Sequence, residues 1–265
     1  MTPSGKTDAA GRGRKGRRPP PPPPPRPIDY GLDTPHLAYG FGWGGMAALT
    51  IAVVLIEGLV GPLSSGRALA AALFAIGIAC VTIALGMAAS SRWGKVAMRD
   101  RLLDALALHG DEQALDVGCG RGLMLIGAAT RLTANGRAVG IDRWTGRDGR
   151  AASRAATMEN ARRAGVAERV TVHEADPRAL PFADGHFDLV LSSLAIHHLP
   201  TVADRAAALG EVLRVTRPGG RIVIVDTSGT ARYARELGAR GASSVLRSGP
   251  RFWIFPPVRL ILARR

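Results

Sequence analysis

The residues whose types and spacing could do chemistry fall into four short clusters. The first is Leu115-Asp116-Val117-Gly118-Cys119-Gly120-Arg121-Gly122, an apolar run with an acid, followed by alternating glycines. Glycines between a strand and a helix let the backbone turn tightly and approach a ligand with no Cβ in the way. Their spacing is Gly-x-Gly-x-Gly, not the Gly-x-Gly-x-x-Gly of dinucleotide-binding loops. The second cluster is Val139-Gly140-Ile141-Asp142, where a carboxylate at a strand end can accept from two vicinal hydroxyls at once. The third is Glu174-Ala175-Asp176-Pro177. The fourth is Ser192-Ser193-Leu194-Ala195-Ile196-His197-His198, in which either histidine could take a proton from a phenol-like hydroxyl or shape a pocket. No metal site is expected, because adjacent histidines alone are poor evidence for one and Cys80 lies far from Cys119 in sequence.

These clusters need a scaffold that brings strand ends together, and the chain from about Arg92 alternates in the βα manner. Short apolar strands are expected at Ala114–Val117, Ala138–Ile141, Arg169–His173, Phe187–Leu191 and Arg221–Val225. Helices are expected at Val96–Leu108, Leu123–Leu132, Ala151–Ala164 and Asp204–Val215. Two further strand-like stretches, Ala242–Leu246 and Trp253–Ala263, close the chain as a hairpin, with Pro256 and Pro257 marking an edge or bulge. The fold class that follows is α/β: a Rossmann-like, mostly parallel seven-stranded sheet covered on both faces, with a C-terminal antiparallel hairpin. Ligands of such sheets sit outside the carboxyl ends of the strands.

Over roughly Arg99 to Gly229 the chain resembles the class I S-adenosylmethionine-dependent methyltransferases, especially the small-molecule and quinone-methylating, type-11-like kind. The resemblance rests on the first cluster, on Asp142 and Asp176, and on Leu180-Pro181-Phe182, Phe187-Asp188-Leu189-Val190 and Arg217-Pro218-Gly219-Gly220, all in the family's order. It implies S-adenosylmethionine as cofactor. Asp116, Gly118, Cys119, Gly120 and Gly122 would meet its methionine portion, Asp142 the ribose, and Asp176 with Pro177 the adenine. Arg143 and Trp144 depart from the common pattern by opening a long polar segment; Trp144 is suited to stacking on adenine. Ser192 would lie beside the methyl group, with His197 or His198 as the candidate base.

The first third has a different character. The chain has 265 residues, 46% of them hydrophobic, yet a formal net charge of +14, which requires the two kinds of residue to be segregated. Residues 1–38 form a basic, proline-rich tail expected to be disordered, with an unbroken run from Pro19 to Pro25. Residues 39–91 hold two apolar runs, Phe41–Gly61 and Ala68–Ala89, joined by a short link. At 1.5 Å per residue each reaches about 30 Å, enough to cross a bilayer core. Residues 92–265 are the α/β domain. Positive charge before the first run and after the second exceeds the single Arg67 between them, so both ends and the domain are expected on the cytoplasmic side of the cell membrane. Basic residues beside such spans meet anionic lipid, which makes membrane lipids a partner and nucleic acid a disfavoured one. The small residues Gly77, Cys80, Ala84 and Ala88 suit close helix contact, inside the hairpin or in a homodimer. Glu57, the one acid in the runs, lies about a turn from the link.

The functional expectation is methyl transfer from S-adenosylmethionine to a small-molecule or lipid-like acceptor, quinone-like among the candidates, at the membrane. Protein or nucleic-acid methylation is the alternative, although the strand-end sequence typical of DNA amino-methylating enzymes is absent. A noncatalytic Rossmann-like module at the membrane is the third reading. Nicotinamide-dependent oxidoreduction fits the glycine spacing poorly.

Overall fold

The computed structural model describes residues 28–31, 35–56, 64–144 and 153–265. Glu57, the proline run and residues 145–152 lie outside them. The chain begins with two long helices, α1 (Pro35–Val54) and α2 (Ser64–Ala89). They cross where small residues meet: a Cβ on Gly45 would stand 3.0 Å from the Gly77 carbonyl and 3.0 Å from Cβ of Cys80. The stripe of small residues on α2 is therefore used within the hairpin at Gly77 and Cys80. The outer faces are apolar and bare, with Trp43 76% and Leu85 66% exposed. Only 17% and 11% of the most apolar stretch of the two helices is buried, so neither is enclosed as a core helix would be. Both helices are long and apolar enough to cross a membrane.

The second of them does not stop at the expected boundary. A π-helical stretch, Ser90–Gly94, carries α2 into α3 (Lys95–Ala105) with helical dihedrals at Gly94 and Lys95. Gly94 is needed at this joint because a Cβ there would run into the backbone carbonyl of Trp253. Phe255 also donates its amide to Ser90 Oγ at 2.8 Å. The apolar hairpin is thus fastened to the α/β domain by continuous helix and by a C-terminal loop.

The domain is a seven-stranded sheet in the order β3-β2-β1-β4-β5-β7-β6. Its strands are β1 (Gln113–Val117), β2 (Arg137–Asp142), β3 (Val170–Glu174), β4 (Phe187–Ser193), β5 (Thr216–Asp226), β6 (Ser243–Arg247) and β7 (Arg259–Arg264). The first five are parallel, and β7 runs antiparallel to β5 and β6. Period-two alternation buries both faces. Val190, Ile222 and Ile224 pack with α6 (Val202–Val215) and α7 (Thr230–Ala239), whereas Leu189, Leu191, Val223 and Val225 pack with α3 and α4 (Leu123–Ala129). A further helix, α5 (Arg154–Arg163), lies against β3 and begins at Ser153, whose Oγ accepts from the Ala156 amide at 3.1 Å.

Some boundaries differ from expectation. Helix α7 stands between β5 and the closing hairpin; its apolar Tyr233 and Leu237 are spaced four apart and buried. The last strand starts at Arg259, because the stretch before it turns through Pro256 and Pro257 and keeps one bridge, Arg251 to Val258. Residues 28–31 and 35–38, within the tail expected to be disordered, are placed: the former against the domain, the latter in α1.

Candidate functional site

Strand order reverses between β1 and β4, and there the loop after β1 opens. Gly118 and Cys119 donate their amides to the Ile141 carbonyl at 2.8 and 3.0 Å, which folds the loop back over β2. Gly118 has φ +77°, and a Cβ on it would collide with Ala195 of the β4 loop. Gly120 differs: φ is +51° and nothing lies within 4 Å of where its Cβ would be. Its backbone therefore faces open space, as a ligand cradle should.

Side chains hold this loop from behind. Asp142 accepts from the Gly120 and Trp144 amides, each at 2.8 Å. Thr157 Oγ1 and Trp144 Nε1 donate to the Gly120 carbonyl at 2.6 and 3.2 Å, and Asn160 Nδ2 donates to the Arg121 carbonyl at 3.0 Å. Trp144 is thus part of the loop's support. Thr157 and Asn160, on α5, were not singled out in the sequence; their polarity amid buried neighbours was the only signal. The Cys119 side chain is buried beside Gly140, so this residue offers the site its backbone.

Asp116 is 2% exposed; Oδ2 accepts from the Leu125 amide at 2.9 Å, and Oδ1 is buried without a hydrogen-bond partner. Burial pushes its carboxyl up to about 7, and the charge of Asp142 adds to the shift. An unmatched buried carboxylate oxygen calls for a cationic or donating ligand group. The α-ammonium of S-adenosylmethionine supplies one, the open space at Gly120 gives room beside it, and lone pairs remain on Asp142 for hydroxyls. The residues present fit that cofactor.

Asp176, at the end of β3, is clasped by Arg178, whose Nη2 lies 2.6 Å from Oδ2, with Arg143 3.7 Å away. Hydrogen bonds from Arg178 hold the Asp176 carboxyl down at about 2. Pro177 beside it is half-buried. Ser192 turns its hydroxyl into the sheet, donating to the Val117 carbonyl at 2.9 Å, so it ties β4 to β1. Next to it, Ser193 Oγ is buried and without a partner.

The two histidines part company. His197 Nδ1 stands 2.6 Å from Oδ1 of Asp226, off the line of a straight hydrogen bond, and its amide donates to Oδ2 at 3.2 Å. Asp226 is fully buried at the end of β5 and also receives the Thr227 amide at 2.7 Å. His198 is exposed, its ring 4.0 Å from that of His197. Asp226 was missed, although it ends an apolar strand as Asp142 does.

The segment before the hairpin also reaches the loop. Arg121 pairs with Asp29 at 2.9 Å, Asn160 Nδ2 donates to the Asp29 carbonyl at 2.9 Å, and buried Lys95 donates to the carbonyls of Tyr30 and Gly31. Arg99 donates to the Tyr30 hydroxyl at 3.0 Å. No feature of residues 28–31 announced this contact in the sequence.

The family described as a methyltransferase domain matches residues 115–224. A demethylmenaquinone methyltransferase of Lactiplantibacillus plantarum is 33% identical over 130 residues, 49% of this chain and 51% of that protein. A 27-O-demethylrifamycin SV methyltransferase of Amycolatopsis mediterranei is 33% identical over 129 residues, 49% of this chain and 43% of that protein. The chain thus spans about half the length of these relatives, or less. A solved S-adenosylmethionine-dependent methyltransferase from Aquifex aeolicus superposes with a TM-score of 0.50 at 17% identity, covering 62% of this chain and 88% of that one, a likeness of fold. Residues 115–224, with the glycine loop and the acids that close β1 and β2, form a class I S-adenosylmethionine-dependent methyltransferase domain of the type-11-like group.

Proposed function

We propose that this protein transfers a methyl group from S-adenosylmethionine to a small, lipid-like acceptor at the cytoplasmic face of a membrane in which α1 and α2 are embedded. The observation that carries the reading is the unpartnered Asp116 oxygen beside the open cradle at Gly120, with His197 and Asp226 at the ends of neighbouring strands. The cofactor supplies an activated methyl on a sulfonium. The chain's own work is to bind, align and exclude water.

Asp116 holds the ammonium end, Asp142 the ribose hydroxyls, and the segment at Asp176 and Pro177 borders the adenine. Asp226 accepts the His197 amide and stands beside Nδ1, which leaves Nε2 to take a proton from an acceptor hydroxyl. His197 is half-buried with Asp226 behind it, whereas His198 is exposed, so His197 is the better base. Quinone methylation by relatives of this length-share supports an apolar acceptor with such a hydroxyl.

The bare apolar faces of α1 and α2 support the membrane position. At the domain end of α2, Trp93 is 68% and Phe252 78% exposed, with Arg92 and Arg251 nearby in sequence, a composition suited to the lipid headgroup level. The test offers the purified chain two acceptor pools, an organic extract and an aqueous extract of the same cells, and follows release of S-adenosylhomocysteine. Turnover with the organic pool is expected; turnover confined to the aqueous pool would contradict a lipid-like acceptor.

A further inference from the structure

Beyond the cofactor loop, at the turn from β5 into α7, lies a cavity of about 480 Å³. Five arginines line it: Arg205 from α6, Arg232 and Arg235 from α7, Arg247 from β6 and Arg259 from β7. Four elements thus bring guanidinium groups to one place. None of the five pairs with a carboxylate among the described residues, in contrast with Arg163 on α5 and Arg214 on α6, which do. Converging like charges repel one another, and a cavity that gathers them unneutralised favours an anionic occupant.

Two further observations point the same way. The N-terminus of α7 opens on the cavity at Gly229 and Thr230 with no side-chain cap, leaving backbone N–H groups and the positive end of the helix dipole free to meet an anion. Tyr233, which also lines the cavity, is 1% exposed, and its buried hydroxyl has no hydrogen-bond partner. Burial holds that phenol up at about 12, so it remains a donor. Among the lining side chains, Thr230 already accepts from Arg247 Nε at 3.0 Å. The cavity also adjoins the acceptor side of the site: Arg205 donates to the His197 and Leu199 carbonyls at 3.4 and 2.8 Å, and Asp226 lies two residues before Ser228 of the wall.

We propose that this arginine-walled cavity binds a phosphoryl group carried by the methyl acceptor. The inference rests on the methyltransferase reading above and narrows it: the acceptor has a hydroxyl that reaches His197 and a phosphoryl group seated at the α7 terminus. Guanidinium forks match phosphate oxygens in pairs, and the uncapped amides take another.

The experiment titrates the full chain in detergent micelles with inorganic pyrophosphate at about 0.15 M salt, where diffuse surface attraction is screened. Binding of S-adenosylmethionine is followed in the same samples. Saturable binding is expected, weakened by about tenfold or more in Arg232→Ala/Arg259→Ala and by no more than about twofold in the charge-matched control Arg137→Ala/Arg162→Ala. In the wild-type chain, amide exchange at residues 230 and 231 should slow when pyrophosphate is added, a readout that needs no variant. Competition by phosphatidic acid vesicles, but not by phosphatidylcholine vesicles, would assign the phosphoryl group to a lipid headgroup; competition by soluble phosphate esters alone would assign it to a free molecule. Absence of saturable binding, equal weakening in both variant pairs, or unchanged exchange at residues 230 and 231 would overturn the proposal. If S-adenosylmethionine still bound in that case, the methyltransferase reading would stand; a wild-type chain that bound neither would sink both.

Discussion

At the scale of single residues, the site turns on acids at strand ends and on what each one lacks. Asp116 keeps a proton in the folded protein up to about pH 7, whereas an unperturbed aspartate releases it near 3.8. Because the folded-state value is raised, the stability tied to this proton is full below the unfolded value and is lost as pH rises through about 7, at most roughly 4 kcal/mol in all. Thermal unfolding of the cofactor-free protein should therefore show a fall in Tm between about pH 4 and pH 7 that Asp116→Asn removes. With Asp116 as the proposed partner of the cofactor's ammonium, binding selects the ionised carboxylate, so affinity should drop by up to about tenfold per pH unit below about 7, with a proton released on binding, and Asp116→Asn should flatten that slope. Calorimetry in two buffers of different ionisation enthalpy reads both effects. On the acceptor side, His197→Ala should lower kcat by about a hundredfold or more while leaving cofactor affinity in place, and His198→Ala by less than about tenfold. Equal losses from the two would remove His197 from the role of base. Asp116 and Asp142 were legible because strand, acid and glycine are contiguous in sequence; Asp226 acts on a histidine 29 residues away, a relation that only the folded sheet reveals.

At the scale of elements, glycines in one loop should fail in different ways. Gly118→Ala drives a Cβ into Ala195 in a backbone conformation that also disfavours it, so the folded domain itself should suffer, by about 2 kcal/mol or more in chemical unfolding. Gly120→Ala meets no neighbour, so its cost to stability should stay near the 1–2 kcal/mol or so of the strained backbone, while cofactor binding falls disproportionately. If Gly120→Ala destabilised the fold yet bound cofactor normally, the cradle would be misplaced. The parallel strands were legible from runs such as Ile222-Val223-Ile224-Val225, whose two faces are both buried. Helix α7 was not, since four of its ten residues are charged or glycine and its buried side is confined to Thr230, Tyr233 and Leu237. The contact of Asp29 and Tyr30 with the cofactor loop was likewise hidden, because it depends on Arg121, Asn160 and Lys95 converging from three separate segments.

At the scale of the whole molecule, the hairpin and the methyltransferase domain are joined by helix, with Gly94 letting the loop at Trp253 approach the joint. In the proposed membrane position, this continuous joint sets how high the catalytic face stands above the bilayer. Inserting a Gly-Ser-Gly-Ser linker after Gly94 should leave the protein in the membrane fraction and leave cofactor affinity nearly unchanged, yet lower turnover of a bilayer-borne acceptor; unchanged turnover would show that the joint has no positioning role. The most direct measurement of the central claim is methyl transfer from labelled S-adenosylmethionine into membranes that carry either the full-length protein or its Gly120→Val variant. The account predicts label in the organic extract with the wild-type chain and its loss with the variant. Label found only in protein or nucleic acid, or label in the organic extract that persists with Gly120→Val, would contradict it.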